Sequence, residues 1–163
     1  MSYEPDGERV DDRFAAEKVR TFMRHQERAT VLRGVYDPST VKGIVAEADL
    51  AVGTSYHFLM FALTAARPTV GLYKGPYYRQ KLRGLFGHFE LENTIVDLEA
   101  GSPDPAVRAG LDALRNRAAL ADRQSATARR LNDELDAAWS EIQGWFLSEP
   151  ATAGQVAALV GKA

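Results

Sequence analysis

A hydroxyl, an imidazole and three cations stand close together in the middle of this 163-residue chain: Ser55, His57, Lys74, Arg79 and Lys81, with Tyr77 and Tyr78 just before Arg79. Such residues hold anions. Lys and Arg make strong charge-assisted hydrogen bonds to phosphate and carboxylate oxygens, and an imidazole can donate a hydrogen bond or move a proton. The set suits a phosphorylated or carboxylated small molecule. It does not suit a metal, because the three His are far apart in sequence and no carboxylate pair accompanies them. A Gly-rich phosphate loop of P-loop or dinucleotide type is also missing.

The elements needed to gather these groups are legible around them. Ala48-Asp49-Leu50-Ala51-Val52-Gly53 is a short apolar run ending in Gly, which suits a buried strand. Thr54 and Ser55 then offer helix-capping hydroxyls, and Phe58, Leu59, Phe61, Ala62 and Ala65 follow at helical spacing. Pro68 to Tyr73 is a second strand candidate, closed by Lys74-Gly75-Pro76, and Tyr77, Tyr78, Lys81, Leu82 and Leu85 read as the next helix. Strand, turn, helix repeated in this way predicts a parallel α/β sheet. Ligands in such sheets sit outside the carboxyl ends of the strands, often against a helix N-terminus whose first amides lack partners. Gly53, Thr54 and Ser55 are therefore expected to line an anion site, with Gly53 letting a ligand approach the backbone. His57 lies in the polar first turn rather than on the apolar face carried by Phe58, Leu59 and Phe61. A helix N-terminus disfavours imidazolium until an anion arrives, which fits a phosphate partner or a general acid.

The wording of this stretch resembles the polysaccharide pyruvyl transferase family, through Ala48, Asp49, Leu50, Gly53, Tyr56, His57, Phe61, Ala62, Leu63, Pro68, Lys81, Gly84 and Leu85. The resemblance covers about residues 28 to 98, with a weaker match at Met1-Ser2-Tyr3-Glu4. It implies the C-terminal half of a two-domain GT-B-like enzyme. Such an enzyme moves pyruvate from phosphoenolpyruvate onto a sugar of an exopolysaccharide or cell-surface glycan as a ketal. It further implies His57 as the catalytic group and Gly53, Thr54, Ser55, Lys74, Tyr78 and Lys81 as binding groups, with phosphoenolpyruvate as donor substrate and no cofactor. One position departs: many members carry Arg where this chain has Ser55, and that Arg is expected to help hold the donor. The chain opens at the Met of a turn that usually follows a strand in the family, so a fragment lacking the N-terminal, acceptor-binding domain is expected.

Other classes share these residues. A GT-B glycosyltransferase would use the same sheet edge for a nucleotide sugar and would need an acidic residue to reach the ribose; Glu90 and Glu92 are the candidates. A degenerate, non-catalytic interaction module would keep the fold without the donor. Arg79, Arg83 and His88 read as surface groups, and Tyr77 and Tyr78 as a pair with one ring inward and the other lining the pocket.

The rest of the chain supplies the frame. A net charge of −2 gives no general reason to bind nucleic acid or anionic membrane, and the absence of Cys excludes disulfides and thiolate chemistry. No apolar run reaches the roughly 18 residues of a spanning helix; a cytoplasmic domain is expected. Residues 1–10 read as a loop. Residues 11–26 read as an amphipathic helix with Phe14, Ala15, Val19, Phe22 and Met23 on its apolar stripe, and His25 as a surface charge near its end. Thr30 to Val35 reads as a strand, Asp37-Pro38-Ser39 as the start of a helix, and Thr94 to Leu98 as the last strand. The expectation is a Rossmann-like parallel sheet of about four strands flanked by helices. In the implied fold the strand at 30–35 is an edge strand whose usual neighbours would precede Met1, so the sheet must pair unusual neighbours, leave an edge open or borrow a strand. Residues 1–100 are expected to form the donor-binding domain and 101–163 a helical extension packing on it. In that extension Leu111, Leu114, Ala118, Leu135, Trp139, Ile142 and Phe146 recur every three or four residues, and Trp139, Trp145 and Phe146 suit a homodimer contact. A loop and a weak last helix are expected over 148–163.

Overall fold

The computed structural model describes residues 2–3, 9–10 and 12–147 and divides the chain into two compact units, Met1–Pro38 and Ser39–Ala163. The expected loop and helix over 148–163 lie outside the described residues.

In the first unit, strands β1 (Ser2–Tyr3) and β2 (Arg9–Val10) pair antiparallel, where the sequence suggested only a loop. Helix α1 (Asp12–Phe22) opens on an acidic residue and carries Arg20 in its last turn, both favourable to its dipole. The residues of its apolar stripe are not buried: Phe14, Val19, Phe22 and Met23 are all exposed. A short 3-10 turn, Gln26–Arg28, follows, with His25 at the surface 3.3 Å from the Glu27 carboxylate. Residues 30–35 do not form the expected strand. No ladder includes them among the described residues; instead the Arg33 carbonyl accepts from the Arg13 guanidinium at 2.8 Å, and Arg33 pairs with Glu17. An extended residue without a neighbouring strand can satisfy its backbone through a side chain, as the Arg33 carbonyl does.

The second unit holds the sheet. Helix α2 (Pro38–Ala46), which begins at the boundary, is followed by β3 (Ala51–Gly53), α3 (Tyr56–Thr64), β4 (Thr69–Tyr73), α4 (Pro76–Gly87) and β5 (Ile95–Asp97). The sheet is parallel, in the order β3-β4-β5, with Gly53 level with Gly71 and Tyr73 level with Asp97. It has three strands rather than about four, since residues 30–35 do not join it. β4 is central and most deeply buried. Gly71 is required there: a Cβ would stand 2.9 Å from the Phe86 ring and 3.1 Å from the Ile95 side chain.

Helix α3 is apolar around almost its whole circumference, as a helix enclosed by other elements must be. Leu59 and Leu63 join Leu82, Leu85, Phe86, Phe89 and Leu91 in the main core cluster; Ala62 joins Val45 and Ala51 in a smaller one. Helix α5 (Asp104–Arg115) lies against β4, and α6 runs from Arg117 to Leu147. At 1.5 Å per residue α6 is about 46 Å long. Only its first half packs: Leu120, Ala128 and Leu131 meet the main core, and the buried Gln124 donates to the Arg67 carbonyl at 3.1 Å. From residue 132 to residue 147 every side chain is exposed.

Candidate functional site

Parallel pairing of β3 and β4 brings their carboxyl ends to one edge, and a helix begins just beyond each. At the first, Ser55 is the N-cap of α3 with an extended backbone (φ −75°, ψ 122°), and its side chain makes no capping hydrogen bond. The first amides of α3 accordingly have no partner within the helix. Thr54, Ser55 and His57 are exposed beside them. Gly53 has a packing role as well: the Phe58 ring occupies the place of its missing side chain, and a Cβ there would lie 2.9 Å from that ring.

At the second end, Lys74 is exposed immediately after β4. Gly75 takes φ +81°, a left-handed conformation that favours glycine, and Pro76 starts α4 at the position where a missing N–H costs nothing. This turn sets Tyr77, Tyr78 and Lys81 on the first turns of α4. Both tyrosines are exposed, Tyr77 by 66% and Tyr78 by 53%, and they meet edge-to-face with centroids 5.2 Å apart. Neither ring turns inward, contrary to the sequence expectation.

The two helix starts meet through Tyr56, which sequence reasoning did not select. Lys81 Nζ lies 5.0 Å from the centroid of the Tyr56 ring and 5.9 Å from that of Tyr77. The same Tyr56 ring meets His57 at right angles, with centroids 5.7 Å apart and planes at 86°. Tyr56 had stood in the sequence only as part of a resemblance; spacing alone does not tell which tyrosine faces the lysine. Asp97 ends β5 at the same edge, but its carboxylate accepts from the Glu99 amide at 2.9 Å and caps the following turn. Asp49, at the other end of β3, is exposed and pairs with Arg117 at 3.5 Å, away from this edge.

The arrangement is an open surface. Ser55, His57, Lys74, Tyr78 and Lys81 are all exposed, so water screens the cations and an anion is held less firmly than in an enclosed pocket. A cavity of about 720 Å³ exists elsewhere, at the amino end of β5, lined by Glu90, Glu92, Asn93, Asp112, Asn116 and Arg123 among others. Glu90 and Glu92, the candidate ribose contacts of the nucleotide-sugar alternative, are therefore at the opposite edge of the sheet from His57. Arg79 and Arg83 border a shallow depression on α4. Among the described residues no group of acidic, His or Cys side chains could hold a metal ion, and no helix is long and apolar enough to cross a membrane.

Neither a curated protein nor a solved structure gives a match to this chain. The family described as Polysaccharide pyruvyl transferase does match, over residues 1–74. The matched segment takes in Gly53, Thr54, Ser55, Tyr56 and His57, ends on Lys74, and leaves Tyr78 and Lys81 outside it. Over residues 1–74, somewhat under half of its length, the chain is similar to the polysaccharide pyruvyl transferase family.

Proposed function

We propose that this chain supplies the donor-binding half of an enzyme that transfers pyruvate from phosphoenolpyruvate to a sugar of an exopolysaccharide or cell-surface glycan. The observation that carries the reading is the meeting of His57 and Lys81 around one tyrosine, beside the first amides of α3, which have no partner within the helix. Phosphoenolpyruvate carries up to three negative charges, and a helix N-terminus with nearby cations is the ordinary means of holding them. In this reading the α3 amides, Ser55 and Thr54 receive one anionic group, while Lys81 and Lys74 balance the other, with Tyr78 on the rim.

His57 then acts as general acid. It delivers a proton to the methylene carbon, which makes C2 electrophilic. A sugar hydroxyl adds to C2, the C2–O bond to phosphate breaks, and a second hydroxyl closes the ketal. Of the two hydroxyl protons released, one restores His57 and the other leaves with phosphate. Because the edge is open, the acceptor is presented by surface outside residues 39–147. The test is a thermal-shift and calorimetric comparison of phosphoenolpyruvate with a UDP-sugar. Saturable binding of phosphoenolpyruvate, lost in His57→Ala, supports the reading; preference for the UDP-sugar overturns it.

A second copy of the chain is proposed to cover the exposed half of α6. Leu135, Trp139, Ile142 and Phe146 form one stripe at spacings of four, three and four, flanked by Trp145 and Leu147. These six side chains together offer on the order of 800 Å², about what each partner buries in a standard interface. Asp133, Glu134, Asp136 and Glu141 lie along the same half, with no Lys or Arg between residues 131 and 147. Like charges in the two copies would repel, so this contact should tighten as salt screens them.

A further inference from the structure

We propose that Tyr56 is the positioning residue of this site: its ring face holds the Lys81 ammonium and its perpendicular contact with the His57 imidazole sets that group, so that both groups address one anion. The inference rests on the reading of this edge as the donor site. Lys81 is an exposed side chain with four rotatable bonds, and left to itself it would sample many directions. The Tyr56 ring at 5.0 Å and the Tyr77 ring at 5.9 Å, one from each helix, provide two faces for the ammonium. Tyr56 can do this because it is itself fixed. It is the first residue of α3, half-buried, and packs against the core cluster built on Leu59, Leu63 and Phe86. His57, next in sequence and exposed, meets the same ring at right angles. A rigid ring anchored in the core thus joins two otherwise mobile polar groups, and part of the ordering that binding would demand is already in place.

The contact is exposed, so its effect is modest: loss of the ring face should weaken phosphoenolpyruvate binding about two- to fivefold. The experiment measures the dissociation constant for phosphoenolpyruvate in the wild-type chain, Tyr56→Phe, Tyr56→Leu, Lys81→Met and the Tyr56→Leu/Lys81→Met double variant. Phe keeps the ring and should remain within about twofold of wild type; Leu should lose affinity, and should cost little more once Lys81 is gone. Equal binding by wild type and Tyr56→Leu, or full additivity in the double variant, overturns the positioning role while leaving the donor site standing. Failure of the wild type to bind overturns the donor-site reading itself, and the inference with it. Should Tyr56→Leu fail to fold, the Lys81 methylene resonances of the wild type decide. Ring-current shifts to high field, kept in Tyr56→Phe, are expected; resonances at free-lysine positions overturn the contact.

Discussion

Ser55, where the resemblance led to an expectation of Arg, stands where the proposed donor anion would be received. It caps α3 through its backbone alone, and its side chain takes no part in the cap. Arginine at this place would add a bidentate, charge-assisted contact beside the first amides of α3. Ser55→Arg is therefore expected to tighten phosphoenolpyruvate binding about tenfold, from the roughly 1.5–3 kcal/mol of a charge-assisted hydrogen bond discounted for exposure. Calorimetry on the variant checks this, and an unchanged or weaker affinity would show that the donor is not held there. Gly53 carries a different lesson. Its sequence context suggested room for a ligand, yet that room is occupied by Phe58. A glycine at a strand end announces close approach by something, and the sequence does not say whether that is a ligand or a neighbouring ring. Tyr56 was passed over for a similar reason, since its role depends on α4 beginning from the adjacent strand and presenting Lys81 toward it.

At the scale of elements, the strand-helix alternation from Ala51 to Asp97 was legible because apolar runs, capping residues and glycine turns agree with one another. The strand expected at 30–35 failed where such agreement was lacking: Thr30, Leu32, Arg33 and Val35 are exposed, and pattern alone cannot supply a partner strand. Gly71 illustrates how tightly the successful part is packed. Gly71→Ala drives a Cβ into the Phe86 ring and Ile95 on the central strand, and should destabilise the second unit by about 1–3 kcal/mol in chemical denaturation. A neutral result would mean that β4 and α4 separate readily. In the first unit, hydrogen bonds from Arg20 and then Arg33 hold the Glu17 carboxyl below its ordinary value of 4.5. A carboxyl lowered on folding contributes stability above its ordinary range and loses it as pH falls through the lowered value. The Arg20 and Arg33 ties to Glu17 should thus weaken on acidification alone. In Arg33→Ala the Glu17 carboxyl resonance should titrate at higher pH than in wild type, and an unmoved titration would remove Arg33 from this account.

For the whole molecule, the proposed self-association rests on the long helix α6. Its first half closes the core, and its second half, which the periodicity could not distinguish from the first, stands exposed with Trp139 and Phe146 on its stripe. Trp139→Glu with Phe146→Glu should convert a salt-strengthened dimer into a monomer in sedimentation without loss of helix content; a wild type that is monomeric at every salt concentration would contradict the dimer. The proposed pyruvyl transfer turns on the edge where α3 begins. The most direct measurement is titration of the purified chain with phosphoenolpyruvate while following the His57 imidazole by NMR. The account predicts a saturable shift of that imidazole at millimolar ligand or below, with Lys81 responding at the same concentrations. An imidazole unmoved at those concentrations would contradict a donor site at this edge.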